Sequence, residues 1–194
     1  MQVKKDIKQA IAVLKNGGVI AYATDTAYAL GADYRSAKAI KRLYRIKGRD
    51  YNKPLILIAA DLKQVKKIAH IGSEENRLIK EHWPGPLTIL LKVKDQELKS
   101  ISKDGYIGIR IPENDAAILL AEKLGYPITA TSANLSGQTA CYTPYCIVKQ
   151  FINKVYTPDF ILDGGRLSAG DISSIIKIDK GKIKIIRQGK VKIT

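Results

Sequence analysis

The chain has 194 residues, 45% of them hydrophobic and 26% charged, which excludes a disordered chain and predicts one globular domain over residues 1–194. Its longest aliphatic run, residues 55–60, is too short to cross a bilayer, and the charged N-terminus lacks a signal-peptide core. We therefore expect a cytoplasmic protein without a membrane partner. The formal net charge of +15 favours nucleotide or RNA partners, although a solvated lysine-rich surface would carry the same charge.

Hydrophobic spacing and turn residues predict alternating helices and strands in the first half of the chain, and several strands near its end. In chain order we expect a helix over residues 7–16, a strand at 19–23 and a polar turn at 24–31. A helix after Ser36 should end at 46–49 and be followed by a strand at 55–59. Two further helices, capped by Asp61 and Ser73, should end near residues 70 and 83. After Pro84-Gly85-Pro86 we expect strands at 87–93 and 107–111, a helix from 114 or 115 to 124, a strand at 126–128, a helix from Thr143-Pro144 to 154, and strands at 160–162, 173–178 and 183–186. This order predicts an α/β fold with a large mixed sheet flanked by helices.

The segment 129–137 contains hydroxyl groups, an amide and a glycine directly after a predicted buried strand. In extended backbone, Ser132 and Asn134 would point to the same side, and such a turn suits a phosphate or carboxylate. An ordinary polar loop is the alternative. Ligands of α/β sheets bind beyond the strand ends, which is where this segment should lie.

Cationic residues at two places suggest an anionic ligand. Lys47 and Arg49 flank Gly48 at a helix end, with Lys53 close behind, so that they could reach one triphosphate; favourable placement at a helix C-terminus is the alternative. Arg110 lies in an apolar strand, where an arginine needs an acid or an anionic ligand. A structural ion pair of Arg110, for example with Asp33 or Asp163, remains open.

Several chemistries are excluded by composition. Cys141, Cys146, His70 and His82 are the only cysteines and histidines, and there is no second cysteine pair of the kind that most four-ligand metal sites contain, so no protein-bound metal is expected. We expect both cysteines to be free thiols and find no pattern of a catalytic triad. The P-loop and the Gly-x-Gly-x-x-Gly motif are also missing from the sequence.

Taken together, these stretches resemble the YrdC/TsaC family, the threonylcarbamoyl-AMP synthases. The stretches that carry the resemblance run in family order from about residue 10 to 189: 22–31 (YATDTAYALG), 47–49 with 53–55, 83–88 (WPGPLT), 108–112 (GIRIP), 129–137 (TATSANLSG), 173–174 and 186–189 (IRQG). Each is weak alone, but the ordered set is specific. The resemblance implies a YrdC-like twisted, largely open mixed sheet with a basic concave face.

The resemblance also implies an activity. ATP, L-threonine and bicarbonate would give threonylcarbamoyl-AMP and pyrophosphate, with Mg2+ bound to the phosphates of ATP. A partner threonylcarbamoyl-transferase complex would then modify the tRNA adenosine beside the anticodon. Binding of RNA by this chain itself would be weak and electrostatic.

The roles of single residues follow from the same resemblance. ATP would be held by Lys47, Arg49, Lys53, Ser132, Asn134 and Arg187, of which Lys47, Arg49, Ser132 and Asn134 would be catalytic. Threonine would be held by Thr26, Arg110, Ser173 and the backbone at Ala130. The sequence departs from the family pattern at Ala23, Ala29, Ser174 and Gln188, and Ile58 stands where some relatives have a histidine near threonine.

Two other functions remain open. A non-catalytic RNA-binding protein would fit the net charge, but the RNA-recognition signatures are missing. A carbamoyl-adenylate enzyme is the second, because related domains occur inside larger hydrogenase-maturation proteins.

Overall fold

The computed structural model describes residues 1–193. Within them, α-helices span Ile7–Lys15 (α1), Ala37–Lys47 (α2), Leu62–Ile68 (α3), Ser73–His82 (α4), Asp115–Leu124 (α5) and Pro144–Phe151 (α6), and a 3-10 helix spans Gln96–Ser100. The strands are Gln2–Lys4 (β1), Ile20–Tyr22 (β2), Ala29–Gly31 (β3), Ile56–Ile58 (β4), Ala69–His70 (β5), Leu87–Val93 (β6), Tyr106–Arg110 (β7), Ile128–Ser132 (β8), Phe160–Leu162 (β9), Ser174–Asp179 (β10) and Lys182–Arg187 (β11).

The strands form one mixed sheet in the order β1-β9-β2-β3-β8-β4-β7-β6-β10-β11, with β5 paired to β6. β9 is parallel to both β1 and β2, β4 is parallel to β7, and β6 is parallel to β10, while the remaining neighbours are antiparallel. The first and last strands of this order do not pair, so the sheet is open. The predicted α/β class with an open mixed sheet and flanking helices is confirmed.

Two hydrophobic clusters cover the sheet. One cluster packs α1 and α5 against residues of β2, β3, β8 and β9, and in β4 it includes Ile58. The other cluster contains Leu57, the neighbour of Ile58 on β4, together with residues of α2, α3, α4 and α6. Since successive strand residues point to opposite faces, this alternation separates the two layers. α1 and α5 cover only one half of the sheet face on which they pack. The other half of that sheet face, formed by β4, β7, β6 and β10, borders a cavity.

Five helices begin after a residue whose side chain caps them, and all of these starts except the one at Asp6 were predicted from the capping residue. The side chains of Asp6, Ser36, Asp61, Asn114 and Thr143 each accept a hydrogen bond from a backbone N–H in the first turn of the following helix. The prediction for α4 was wrong in this detail, because Gly72 is the N-cap and Ser73 is the first helical residue. α3 ends at Ile68, where the chain turns into β5, and α6 ends at Phe151 rather than at 154.

The strand predictions were wrong at two places near the cavity. The predicted turn at 24–31 contains β3, and the strand predicted at 126–128 is β8, which runs on to Ser132. β3 has weak strand propensity, but its packing requires a small residue, because a Cβ on Gly31 would lie 2.6 Å from the Tyr22 ring and 2.7 Å from Ile128. Tertiary packing therefore overrides the local pattern here.

The expectation of two free thiols was wrong. Cys141 and Cys146 form a disulfide, with their Cα atoms 5.4 Å apart. Cys141 lies just before the N-cap Thr143, and Cys146 is in the first turn of α6, so the helix start folds the two cysteines together. Composition could not predict this local geometry. Within residues 1–193, no helix has both the length and the apolar character that crossing a membrane requires.

Candidate functional site

A cavity of about 850 Å³ lies against the uncovered half of the sheet face. Its lining includes six cationic and two acidic side chains: Arg49, Lys103, Arg110, Lys177, Lys184, Arg187, Asp104 and Asp179. The volume is within the range of small-molecule sites, and the excess of positive charge suits an anionic ligand.

Strand register explains why distant residues share this cavity. Arg110 pairs with Ile58, and Gly108 pairs with Ile56 and Leu90, so these positions lie on one face of the sheet. On β11, a bulge with Ile186 as the extra residue shifts the register with β10 between Ile175 and Ile176, so that Arg187 lies opposite Ile175. The bulge allows Arg187 and Lys184, three residues apart, to line the same cavity.

Arg110 is the buried cation at one end of the cavity, with 5% of its surface exposed. Its Nη1 atom lies 2.7 Å from Asp25 Oδ1, and its Nη2 donates to the hydroxyls of Thr24 and Thr26 at 3.2 Å each. Burial lowers the pKa of Arg110, and the Asp25 carboxylate opposes that shift. The guanidinium is therefore held in one orientation by the 24–26 turn.

The suggested structural partners of Arg110 were wrong. Asp33 instead forms an ion pair with Arg35 at 3.0 Å and accepts a hydrogen bond from Tyr126. Asp163 accepts from the backbone of Gly165. Arg110 instead has Asp25 as its acidic partner, and it also borders the cavity, where an anionic ligand could reach it.

Arg187 and Ser173 lie beside Arg110 in the lining. Arg187 donates to the Ser173 carbonyl at 2.8 Å and 3.1 Å and to its hydroxyl at 3.0 Å, and that hydroxyl is 3.0 Å from the hydroxyl of Thr88. Burial and the Arg110 cation lower the pKa of Arg187. Two neighbouring guanidinium groups that repel each other are stabilised by an anion bound between them.

Lys47 is buried behind the end of β8, with 3% of its surface exposed. Its Nζ has three N–H groups and four oxygens within hydrogen-bond distance, so one N–H is shared between two of them. These oxygens are the carbonyl and hydroxyl of Ser132 at 2.5 and 3.1 Å, and the carbonyl and side-chain Oδ1 of Asn134 at 3.1 and 2.9 Å. Gly48, with φ of +59°, ends α2 in the left-handed conformation that glycine adopts most readily. Lys47 thus organises the Ser132–Asn134 turn but does not itself line the cavity, whereas Ser132 and Asn134 do.

The burial of Lys47 should make stability depend on pH. Burial and then the Arg49 cation lower the pKa of Lys47 from 10.5 to about 8. Between these values the unfolded chain binds more protons than the folded one, so the stability of the wild type relative to Lys47→Met should rise with pH, by up to about 1.4 kcal/mol per pH unit. Urea unfolding of both proteins from pH 7 to 10.5 measures this difference. A difference that falls with pH would show that the four acceptors keep Lys47 charged.

The remaining predicted residues separate into two groups. In the first group, Arg49, Thr26 and Ala130 line the cavity. Arg49 donates a hydrogen bond to the Pro54 carbonyl at 3.0 Å, and its buried Nε has no hydrogen-bond partner within residues 1–193. Lys53 is exposed and is not part of the lining.

Sequence reasoning missed several residues of the site. Asp25 and Thr88, which hold Arg110 and Ser173, lie inside motifs that were recognised but given no role. Gln138 and Ala140 extend the lining beyond Asn134, and Lys177 contributes a cation from β10. Lys177 alternates with buried Ile176, a signal that could have placed it on the open face.

Comparisons with known proteins show which family this chain is similar to. A family model for Sua5, YciO and YrdC, described as "Telomere recombination", matches residues 12–189. A relative from Methanocaldococcus jannaschii is 38% identical over 178 residues, covering 92% of this chain and 83% of the relative. A threonylcarbamoyl-AMP synthase from Pyrococcus abyssi is 32% identical over 186 residues, covering 94% of this chain and 54% of the relative. The crystal structure of P. abyssi Sua5 complexed with L-threonine has a TM-score of 0.85 at 29% identity, covering 97% of this chain and 56% of that one. This chain thus spans about half the length of the P. abyssi proteins.

Proposed function

Because this chain belongs to the Sua5/YciO/YrdC family, we propose that it is a threonylcarbamoyl-AMP synthase. It would convert ATP, L-threonine and bicarbonate to threonylcarbamoyl-AMP, pyrophosphate and water, as a nucleotidyltransferase in the cytoplasm. The proposal rests mainly on one observation. Arg110 and Arg187 lie at one part of the cavity, and the turn Ser132–Asn134, which Lys47 holds and which is called the Lys47-bound turn below, lies at another. The P. abyssi Sua5 complex with L-threonine supports threonine as the amino acid.

The buried cations suit the two substrates differently. The planar fork of Arg110 can grip the threonine carboxylate, with the Thr26 hydroxyl and Ser173 beside it. Arg49, Arg187 and the hydroxyl and amide of the Ser132–Asn134 turn would bind the phosphates of ATP. Lys47 would act by holding that turn in place. Its ammonium group would also add positive charge near the cavity, although it does not line the cavity.

The reaction requires no protein nucleophile. The threonine amine combines with bicarbonate to form a carbamate and water, a carbamate oxygen attacks the α-phosphorus of ATP, and the bond to the pyrophosphate group breaks. The chain's contribution would be to align the carbamate with the α-phosphate and to stabilise the charge that develops on the phosphate oxygens.

Magnesium would accompany ATP. Within residues 1–193 there is no group of three or more metal-binding side chains, and the cavity offers only Asp104 and Asp179 as carboxylates. This donor set fits an ion held mainly by phosphate oxygens and water. Bound Mg2+ would neutralise part of the charge of the triphosphate.

Pyrophosphate release tests the proposal directly. We expect the purified chain to release pyrophosphate from ATP and Mg2+ only when L-threonine and bicarbonate are both present, because the carbamate is the attacking group. A coupled pyrophosphate assay, with each substrate omitted in turn, measures this. Equal release without threonine would contradict the proposal, and formation of carbamoyl-AMP would favour the carbamoyl-adenylate alternative.

The product would pass to a threonylcarbamoyl-transferase complex acting on tRNA, so RNA contact by this chain would be secondary. We expect binding of an RNA stem-loop, followed by fluorescence anisotropy, to weaken steeply between about 50 and 200 mM salt and to depend little on sequence. Tight, sequence-selective binding that resists salt would instead favour an RNA-binding protein.

A further inference from the structure

The segment 133–140 connects the Lys47-bound turn to the disulfide and borders the cavity through Asn134, Gln138 and Ala140. It has no regular secondary structure, and residues 136–139 are exposed. Within the segment, Asn134 Nδ2 donates to the carbonyls of Leu135 at 2.9 Å and Gln138 at 2.6 Å. The remaining contacts that fix its shape come from other parts of the chain. One is Lys47, whose carbonyl accepts a hydrogen bond from Ser136 N at 2.8 Å.

A second set of contacts comes from Gln150 on α6. Its Oε1 accepts from Leu135 N at 3.1 Å, and its Nε2 donates to the Thr139 carbonyl at 3.0 Å. One side chain thus bridges the segment near both of its ends. Gln150 Nε2 also lies 3.4 Å from the sulfur of Cys141 and 3.8 Å from that of Cys146.

The third contact is the disulfide. Cys141 is fully buried, and its carbonyl accepts from Tyr28 N at 2.9 Å, so it fixes the far end of the segment to the cavity wall. Cys146 is half-buried and lies four residues before Gln150, on the same face of α6. The bridge therefore holds the helix face that carries Gln150 against the end of the segment.

We propose that Gln150 and the Cys141–Cys146 disulfide form a clamp that holds residues 133–140 in the conformation that binds ATP, so that a thiol reductant weakens ATP binding by opening the bridge. This inference rests on the proposed function for its ligand. Gln150 acts through the backbone of Leu135 and Thr139 and is a positioning residue.

The chemical step is thiol–disulfide exchange. A thiolate of dithiothreitol attacks the Cys146 sulfur, which is the less buried of the two, and the sulfur–sulfur bond breaks. The second thiol of the reagent completes its oxidation to a cyclic disulfide. Two electrons and two protons pass to the cysteines, which become thiols.

The test compares oxidised and reduced protein, with free thiols counted in each, using α,β-methylene-ATP as the ligand in calorimetry. We expect the Kd for this nucleotide to rise roughly fivefold to twentyfold on reduction, because a loosened segment spends a smaller fraction of time in the binding conformation. The Kd for L-threonine should stay about unchanged. Cys146→Ser should bind like the reduced protein and no longer respond to dithiothreitol.

Gln150→Leu should weaken nucleotide binding in the oxidised protein, and Lys149→Ala, an exposed neighbour on α6, is the matched control. Equal Kd values for oxidised and reduced wild type would overturn the inference. If neither form binds the nucleotide, the proposed function fails instead. In that case, hydrogen exchange of the backbone amides of residues 133–140 tests whether the clamp exists. Protection that does not change on reduction would also overturn the inference.

Discussion

Lys47→Met is expected to lower the rate of pyrophosphate formation by roughly 100-fold to 1,000-fold, the scale for losing one preorganised charge-stabilising group. The physical reason is the position of Nζ, which donates to the backbone and side chains of both Ser132 and Asn134. Methionine keeps the length of the side chain and removes the donors and the charge. Initial rates at saturating ATP and threonine measure the loss.

Stability needs a separate measurement for this variant. From the sequence, Lys47 is a cation at a helix end, a position that contributes only about 0.3–1 kcal/mol to stability. The structure buries it, so unmet acceptors should cost about 1–3 kcal/mol of unfolding free energy, and the assay must be run well below the unfolding midpoint. Lys53→Met is the matched control, because Lys53 is exposed and outside the cavity lining. Full activity of folded Lys47→Met would remove Lys47 from the mechanism.

Substitution of Arg110 should act on threonine rather than on ATP. We expect Arg110→Ala to raise the threonine requirement roughly 30-fold or more, since truncating one member of a buried charge pair costs on the order of 2–5 kcal/mol. Arg110→Lys keeps the charge and loses the fork, so we expect a smaller loss of about tenfold. Separate titrations of threonine and ATP against both variants measure the two requirements.

The ion pair with Asp25 supplies the control for this experiment. Asp25→Asn keeps the size of the side chain and removes the charge that faces Arg110 at 2.7 Å. If Arg110 were only a structural partner of Asp25, both Asp25→Asn and Arg110→Lys would lower the melting temperature, and threonine would not restore it. Equal losses for threonine and ATP in Arg110→Lys would also contradict the assignment to the carboxylate.

Local signals in the sequence were sufficient for the helices and for the class of fold. The caps Ser36, Asn114 and Thr143 place a side-chain oxygen next to backbone N–H groups a few residues away, so they could be recognised without knowing the rest of the chain. The ordered motifs likewise indicated the family, because their spacing depends on the sequence alone. Strand β3 escaped prediction because its partners, β2 and β8, rather than its own residues, define it.

The features of the site can be divided in the same way, into those predicted from the sequence and those decided by the tertiary structure. That Arg110 needs an anionic partner followed from its place in an apolar strand, because a buried guanidinium must be compensated wherever the strand lies. That this partner is Asp25, that Lys47 points into the Ser132–Asn134 turn, and that Cys141 bonds to Cys146 were decided by the tertiary structure. Hydrogen bonds, ion pairs and disulfides require a fit of a few tenths of an ångström, and only the packed sheet and its register set distances between such positions.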